Sequence, residues 1–308
     1  MKIAINKKIV KGPWGGGNQI LRMLVNYFQS NDIDITYSLS EDVDVILMMD
    51  VRDGSCCFPI SSIRNHKAKV VHRINDTGAH RENDQKRTKL ILEANSIADE
   101  TIFISEWVKG FYEKNGFSKK SFVIDNAANR DLFKPSSRIR KEVEPLSIVT
   151  HHWSDNPSKG YDIYKSIDNF CKENSKLANF KFIGRECCHK HFSSSCDKIR
   201  AKPYKEIPKY LNNTDLYISA SLFEAGGCHI VEGMACGLIP IVRKGGGGTE
   251  DYSEGFGFVF NDVNEIFNII HSLHKDYSLY RKMKMKVESE YTYTSNEMCK
   301  KYLDIIRL

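Results

Sequence analysis

Long apolar runs are missing from this sequence. The best in the first half, Val43 to Met49, falls far short of the roughly 20 residues that a helix needs to cross a bilayer, so no membrane span is expected. Low-complexity segments are absent too, and apolar residues are spread evenly, which excludes an intrinsically disordered chain. Disulfide arithmetic fails: the nine cysteines (56, 57, 171, 187, 188, 196, 228, 236, 299) are odd in number and scattered, with two adjacent pairs. That usage points to a reducing, cytoplasmic setting. No signal-peptide core follows Met1, where Met-Lys-Ile-Ala-Ile-Asn begins directly as a strand. A large excess of either charge is lacking as well. Lys+Arg 45 against Asp+Glu 39 leaves +6, without a basic stripe interleaved with aromatics, and nucleic acid is excluded as a partner.

What is present is a repeated alternation of short strands and helices. At 308 residues, a prior of roughly 150 residues per domain gives about two domains. Strands are predicted at Lys2–Asn6, Val43–Met49, Lys69–Ile74, Thr101–Ser105 and Phe122–Asp125. A second series follows at Leu146–Thr150, Phe180–Gly184, Leu216–Ala220, Leu238–Val242 and Gly257–Phe260. Ile20, Leu21, Leu24, Val25 and Phe28 recur at helical spacing, as do Leu90, Ile91, Ala94 and Ile97. Further helices are predicted around 161–173, 207–213, 228–236 and 264–275. Such alternation predicts α/β architecture: two doubly wound, Rossmann-like domains whose parallel sheets are covered on both faces and which face a cleft. Pro135, two serines and a charged run put the boundary in Lys134–Pro145. The expected division is 1–140, 141–285, and a terminal helix in 286–308 that packs back toward the first domain.

The chemistry concentrates between Asp215 and Val242. The segment reads as a buried strand, a loop with Glu224 and Gly226-Gly227, a helix from Cys228, a stop at Gly237 and another strand. Two glycines let a ligand approach the backbone, and the helix behind them directs N–H groups and partial positive charge outward, as a phosphate requires. Glu232 lies about one turn into that helix. Carboxylates beside an anion site make sense if they accept hydrogen bonds from sugar hydroxyls.

At these residues the sequence resembles the family 4 glycosyltransferases, of GT-B architecture. Glu224 and Glu232 match their E-x7-E motif, followed by Gly-Met-Ala-Cys-Gly-Leu-Ile-Pro-Ile-Val. Further matches in register are Phe-Ile-Ser-Glu-Trp (103–107), the run 126–135, Ser-Lys-Gly-Tyr (158–161), Phe-Ile-Gly-Arg (182–185) and Gly-Gly-Gly-Gly-Thr-Glu (245–250). The resemblance implies a retaining, hexosyltransferase-type enzyme that moves sugar from a UDP- or GDP-sugar or similar donor to a glycan or glycolipid acceptor. It further implies surface polysaccharide synthesis, a cytoplasmic location with peripheral membrane contact, no cofactor and no essential metal. By the same resemblance Glu232 contacts the ribose, Glu224 borders the donor sugar, the Gly226-Gly227-Cys228 backbone holds sugar or distal phosphate, and Lys159 neutralises the departing diphosphate.

The family's arginine before that lysine is missing from His151-His152-Trp153-Ser154-Asp155-Asn156-Pro157-Ser158-Lys159. A histidine, His152, is the donor-side candidate in its place, although an imidazole lacks the guanidinium fork. In the first domain, Gly15, Gly16 and Gly17 follow the first strand in Lys11-Gly12-Pro13-Trp14-Gly15-Gly16-Gly17-Asn18 and match neither a P-loop nor the dinucleotide spacing; the resemblance turns them toward the donor. It also makes His72, near a strand end, a catalytic candidate, with His80 the alternate. Cys187-Cys188-His189 lacks zinc spacing, and the Asp32/Asp34 and Asp42/Asp44 pairs read as structural. Two other functions fit the same architecture: a nucleotide-sugar epimerase, or a degenerate, non-catalytic nucleotide- or glycan-binding protein.

Overall fold

A computed structural model describes residues 1–12, 15–52, 54–78, 84–192 and 196–308. The chain divides into two compact units: Met1–Lys11, Gly16–Asn126 and Ser295–Leu308 form the first, and Gly12–Gly15 with Ala127–Thr294 the second.

The first unit runs β1 (Lys2–Ile5), α1 (Gly16–Gln29), β2 (Asp34–Thr36), β3 (Val45–Met48), α2 (Ile60–Ile63), β4 (Lys69–Ile74), α3 (Gln85–Asn95), β5 (Glu100–Phe103), α4 (Glu106–Lys114) and β6 (Phe122–Val123). Its six strands are parallel, in the order β2-β1-β3-β4-β5-β6. All four residues of β3 are buried, as a sheet covered on both faces demands. The helical stripe Ile20, Leu21, Leu24, Val25 and Phe28 is buried on α1 as its spacing predicts. Helix α3 buries Ile91 and Ala94, whereas Leu90 is exposed. Sequence patterning does not reveal β2, a three-residue edge strand with little apolar content. It also leaves α4 unpredicted, although the helix has a clear start: the Ser105 side chain accepts the Val108 N–H.

The second unit continues with β7 (Leu146–His152), α5 (Tyr161–Glu173), β8 (Ala178–Gly184), α6 (Glu186–His189), β9 (Asp197–Arg200), α7 (Ile207–Leu211), β10 (Leu216–Ser219), α8 (Cys228–Ala235), β11 (Ile239–Arg243), α9 (Gly248–Ser253), β12 (Phe258–Phe260), α10 (Val263–Lys275) and α11 (Tyr277–Glu290); α12 (Ser295–Arg307) then belongs to the first unit. The sheet order is β12-β11-β10-β7-β8-β9, again parallel. Strand β7, first in the chain, thus lies at the centre beside β10, where the winding reverses. Alternate residues of these strands enter two cores. Leu146, Ile148, Leu216 and Ile218 pack under α5 and α10, while Val149 and Tyr217 pack with Ile230, Val231 and Met234 of α8.

Two boundaries differ from the sequence reading of 1–140, 141–285 and 286–308. The first division falls after Asn126, and the charged segment read as a connection is fastened to the second unit. Arg138 Nη1 donates to Asp215 Oδ1 at 2.9 Å, and the buried Arg140 guanidinium lies 4.4 Å from the Tyr280 ring centroid. Proline and charge suggest a linker, but one arginine paired with a buried carboxylate and another lying against two aromatic faces make it an ordered strap. The last division falls at 294/295, between α11 and α12. Within the first unit, α12 is tied to β4: Tyr302 Oη accepts from Arg73 Nε at 2.9 Å, and Ile305 O from Lys69 Nζ at 2.8 Å.

Candidate functional site

In an open parallel sheet, ligands bind beyond the carboxyl ends of the strands where the winding reverses. In the second unit that point is the end of β7 and β10, and the sequence places its polar loops there.

The loop after β7 turns through a single 3-10 turn, Pro157–Lys159, started by Asn156, whose side chain accepts the Ser158 N–H at 2.9 Å. Gly160 follows with φ 80°. A Cβ at Gly160 would lie 2.2 Å from Ala220 O, so only glycine permits this backbone to pack against the end of β10. Leu222 N donates to Ser158 O at 2.8 Å and fastens the two loops together. Lys159 is thereby delivered to the loop after β10, where its ammonium forms an ion pair with Glu224. Both side chains are about one-fifth exposed, 19% and 18%. Burial raises the Glu224 carboxyl, but Lys159, by its charge and its hydrogen bond, holds it below its ordinary value.

Glu224 is positioned from the other side by the glycine run. Its N–H donates to Gly246 O at 3.0 Å and its carbonyl accepts from Gly248 N at 2.7 Å. A Cβ at Gly247, where φ is 86°, would come within 2.5 Å of Glu224 O. The motif at 245–250 therefore acts on the backbone of the Glu224 loop. Gly227 precedes α8, and a Cβ there would lie 2.6 Å from Thr249 Cγ2. Lys159, Glu224, Gly226, Gly227 and Cys228 thus share one edge of the sheet, at the positive end of α8.

Glu232, one turn along α8, is buried, and its Oε2 lies 2.9 Å from His151 Nε2. His151 Nδ1 is 2.9 Å from Tyr217 Oη, which also accepts the His151 N–H at 3.0 Å. His229 Nε2 lies 3.1 Å from Ser219 Oγ, and burial, partly offset by Glu224, pushes that imidazole down to about 3. His229 is therefore neutral at physiological pH.

Three expectations need correction or relocation. His152, the donor-side candidate, is buried: its Nε2 lies 2.6 Å from Tyr164 Oη and 3.2 Å from Thr150 Oγ1. Burial, with the Lys159 ammonium nearby, pushes its imidazole well below the ordinary range. Strand alternation explains this, since His152 shares the face of Ile148 and Thr150, while His151 shares the face of Val149 on which α8 lies. His72, the catalytic candidate, is 2% exposed, with Asn95 Nδ2 donating to its Nδ1 at 3.0 Å. Burial pushes it down to about 3, and it is a core histidine. Its alternate, His80, lies outside the described residues, as do Pro13 and Trp14 of the glycine-rich loop. Gly15 precedes α1, and Gly16 and Gly17 are its first two residues. Sequence reasoning missed His151, Tyr217 and His229 as a group; the adjacent histidines were visible, but their faces were not.

Residues 186–289 match the family model described as "Glycosyl transferases group 1". The match covers about a third of the chain, contains Glu224 through Glu232, and begins beyond Lys159. No curated protein matches the sequence. Among solved structures, HepE of Anabaena, in complex with UDP and glucose, is similar at TM-score 0.77 and 14% identity, covering 100% of this chain and 99% of that one. Sucrose-phosphate synthase of Thermosynechococcus elongatus gives 0.79 and 13%, with 99% and 98% covered. WaaG, a glycosyltransferase involved in lipopolysaccharide biosynthesis, gives 0.70 and 12%, with 99% of each chain covered. At such identities the likeness shows the fold: two Rossmann-like units of the architecture these proteins share.

Proposed function

We propose that this chain is a retaining, metal-independent glycosyltransferase of the family 4 type, which moves a hexosyl group from a nucleotide sugar to a glycan or glycolipid. The observation that carries the proposal is the Lys159–Glu224 pair at the positive end of α8, with buried Glu232 one turn behind it. One cation, one helix terminus and two carboxylates suit a ligand with a diphosphate between two polyhydroxylated sugars. Phosphate oxygens take the ammonium and the helix end. Hydroxyls of the ribose and of the donor sugar donate to Glu232 and Glu224 respectively.

Bond cleavage at the anomeric carbon leaves negative charge on the diphosphate. In this reading Lys159 and the partial positive charge at the start of α8 stabilise that charge, a role a divalent cation serves in other designs. Glu224 is ionised before the ligand arrives, and diphosphate can draw the ammonium from it without breaking the glycine-held backbone. Retention then follows from attack on the face the leaving group vacates, with the departing phosphate taking the acceptor's proton. A glycolipid acceptor brings the enzyme to a membrane surface from the cytoplasmic side, in surface polysaccharide synthesis. No described helix is long and apolar enough to cross a membrane.

Donor turnover, with and without a mixed glycan acceptor, tests the proposal. Wild type should release nucleoside diphosphate in EDTA, faster with acceptor, and Glu224→Gln should abolish release while leaving nucleotide binding. A product of inverted configuration, or activity restored only by magnesium or manganese, would contradict retention or metal independence. Sugar interconversion without an acceptor would identify an epimerase, and binding with no turnover a non-catalytic protein.

A further inference from the structure

The hydrogen bonds around His151 define its tautomer. Tyr217 Oη already accepts the His151 backbone N–H at 3.0 Å, so its own hydrogen must be directed elsewhere. The Glu232 carboxylate opposite Nε2 only accepts, which puts a ring proton on Nε2 and leaves Nδ1, 2.9 Å from Tyr217 Oη, as an acceptor for the phenol hydrogen. Nδ1 is then the acceptor of the ring, the ring proton sits on Nε2, and Nε2–H donates to Glu232 Oε2 at 2.9 Å. Tyr217 is fully buried, and burial raises its phenol, so it keeps the proton this chain of bonds requires.

The arrangement is built into the backbone. A Cβ at Gly233 would lie 2.6 Å from Tyr217 Cδ2, so the glycine after Glu232 lets α8 lie directly on the tyrosine ring. His151 stands edge-on to that ring, with centroids 5.5 Å apart and planes at 89°. Oε2 of Glu232 is occupied by His151, and among the described residues Oε1 carries no hydrogen bond. A carboxylate pinned through one oxygen presents the other in a fixed direction.

We propose that His151, held as the Nε2–H tautomer by Tyr217, is a positioning residue that fixes Glu232 for the ribose diol of the nucleotide, and so sets preference for ribonucleotides over deoxy forms. This rests on the reading of the site as a nucleotide-sugar site. The role differs from that of a second diphosphate cation, because the imidazole is directed to a carboxylate inside the unit.

The test is calorimetry of UDP, GDP and ADP against their 2′,3′-dideoxy counterparts, with wild type, His151→Phe, His151→Gln and Tyr217→Phe. Wild type should prefer one ribonucleotide over its dideoxy form by about ten-fold or more. His151→Phe should collapse that ratio toward unity while leaving dideoxy affinity unchanged. His151→Gln, whose amide can donate to Glu232, should restore much of the ratio. Tyr217→Phe, which unlocks the tautomer, should lower it several-fold. Ratios equal to wild type in both the Phe and Gln variants at His151 would overturn the proposal. So would a parallel fall for both nucleotide forms, the mark of a structural role. If His151→Phe fails to fold, the ratio in Tyr217→Phe decides. Nucleotide binding without ribose preference in wild type would overturn this inference alone, whereas no nucleotide binding would overturn the underlying reading and the inference with it.

Discussion

Lowering the pH should cost the protein stability through His72, and the cost can be worked out. The ring is 2% exposed and burial takes it from about 6.5 down to about 3. The unfolded chain therefore binds a proton that the folded chain refuses between those values. Stability from neutral His72 is fully present above about 6.5 and is lost as pH falls toward 3. At about 1.4 kcal/mol per pH unit, the loss between pH 7 and pH 5 is about 2 kcal/mol. His72→Gln retains an acceptor for Asn95 and removes the titration. Urea unfolding of both proteins at pH 7, 6 and 5, followed by circular dichroism, should give the variant a fall smaller by about 2 kcal/mol. Equal pH slopes would mean that His72 titrates normally in the fold and is not a core histidine. Turnover lost in His72→Gln, with unchanged stability, would return it to the catalytic machinery.

Other substitutions probe the scaffold. Gly160→Ala forces a side chain into the left-handed region and within 2.2 Å of Ala220 O; it should cost about 3 kcal/mol or more in thermal unfolding, and an unchanged melting temperature would refute the packing. Tyr302→Phe removes the acceptor for Arg73 Nε, a guanidinium only 1% exposed whose Nη1 already lacks a hydrogen-bond partner among the described residues. The expected loss is about 1–3 kcal/mol by urea denaturation, and a change below about 0.5 kcal/mol would contradict it. Asp50 is buried in the first unit, where burial raises its carboxyl but Arg52 and Lys7 prevail and hold it well below 3.8. Its contribution is present above 3.8 and lost as pH falls below it, so Asp50→Asn should flatten acid unfolding in that range; an unaltered acid limb would oppose the assignment.

The parallel α/β architecture was legible because buried parallel strands must be apolar nearly throughout: Lys69–Ile74 and the helix 161–173 coincide with their predicted bounds. Strands β2 and β9 were not, since edge strands are half exposed and carry charge, as in Asp-Lys-Ile-Arg. The candidates Glu224 and Glu232 stood out because a glycine-bearing loop and a helix start mark them locally, whereas Lys159 was singled out by the family resemblance. The choice between His151 and His152 was not local. It depends on which face of β7 carries α8, a matter of crossover packing that strand periodicity alone leaves open. His72 misled for a related reason: nearness to a strand end says nothing of whether a ring points into the layer beneath α3.

We propose that the second unit holds a nucleotide sugar through Lys159 and the start of α8. The most direct test is calorimetry of UDP, GDP, ADP and CMP, free and sugar-linked, in EDTA, against wild type and Lys159→Ala. One nucleotide series should bind wild type, and the variant, still folded, should lose about ten-fold or more in affinity for it. A folded wild type that binds none of them, or a variant that binds as tightly as wild type, would contradict the proposal.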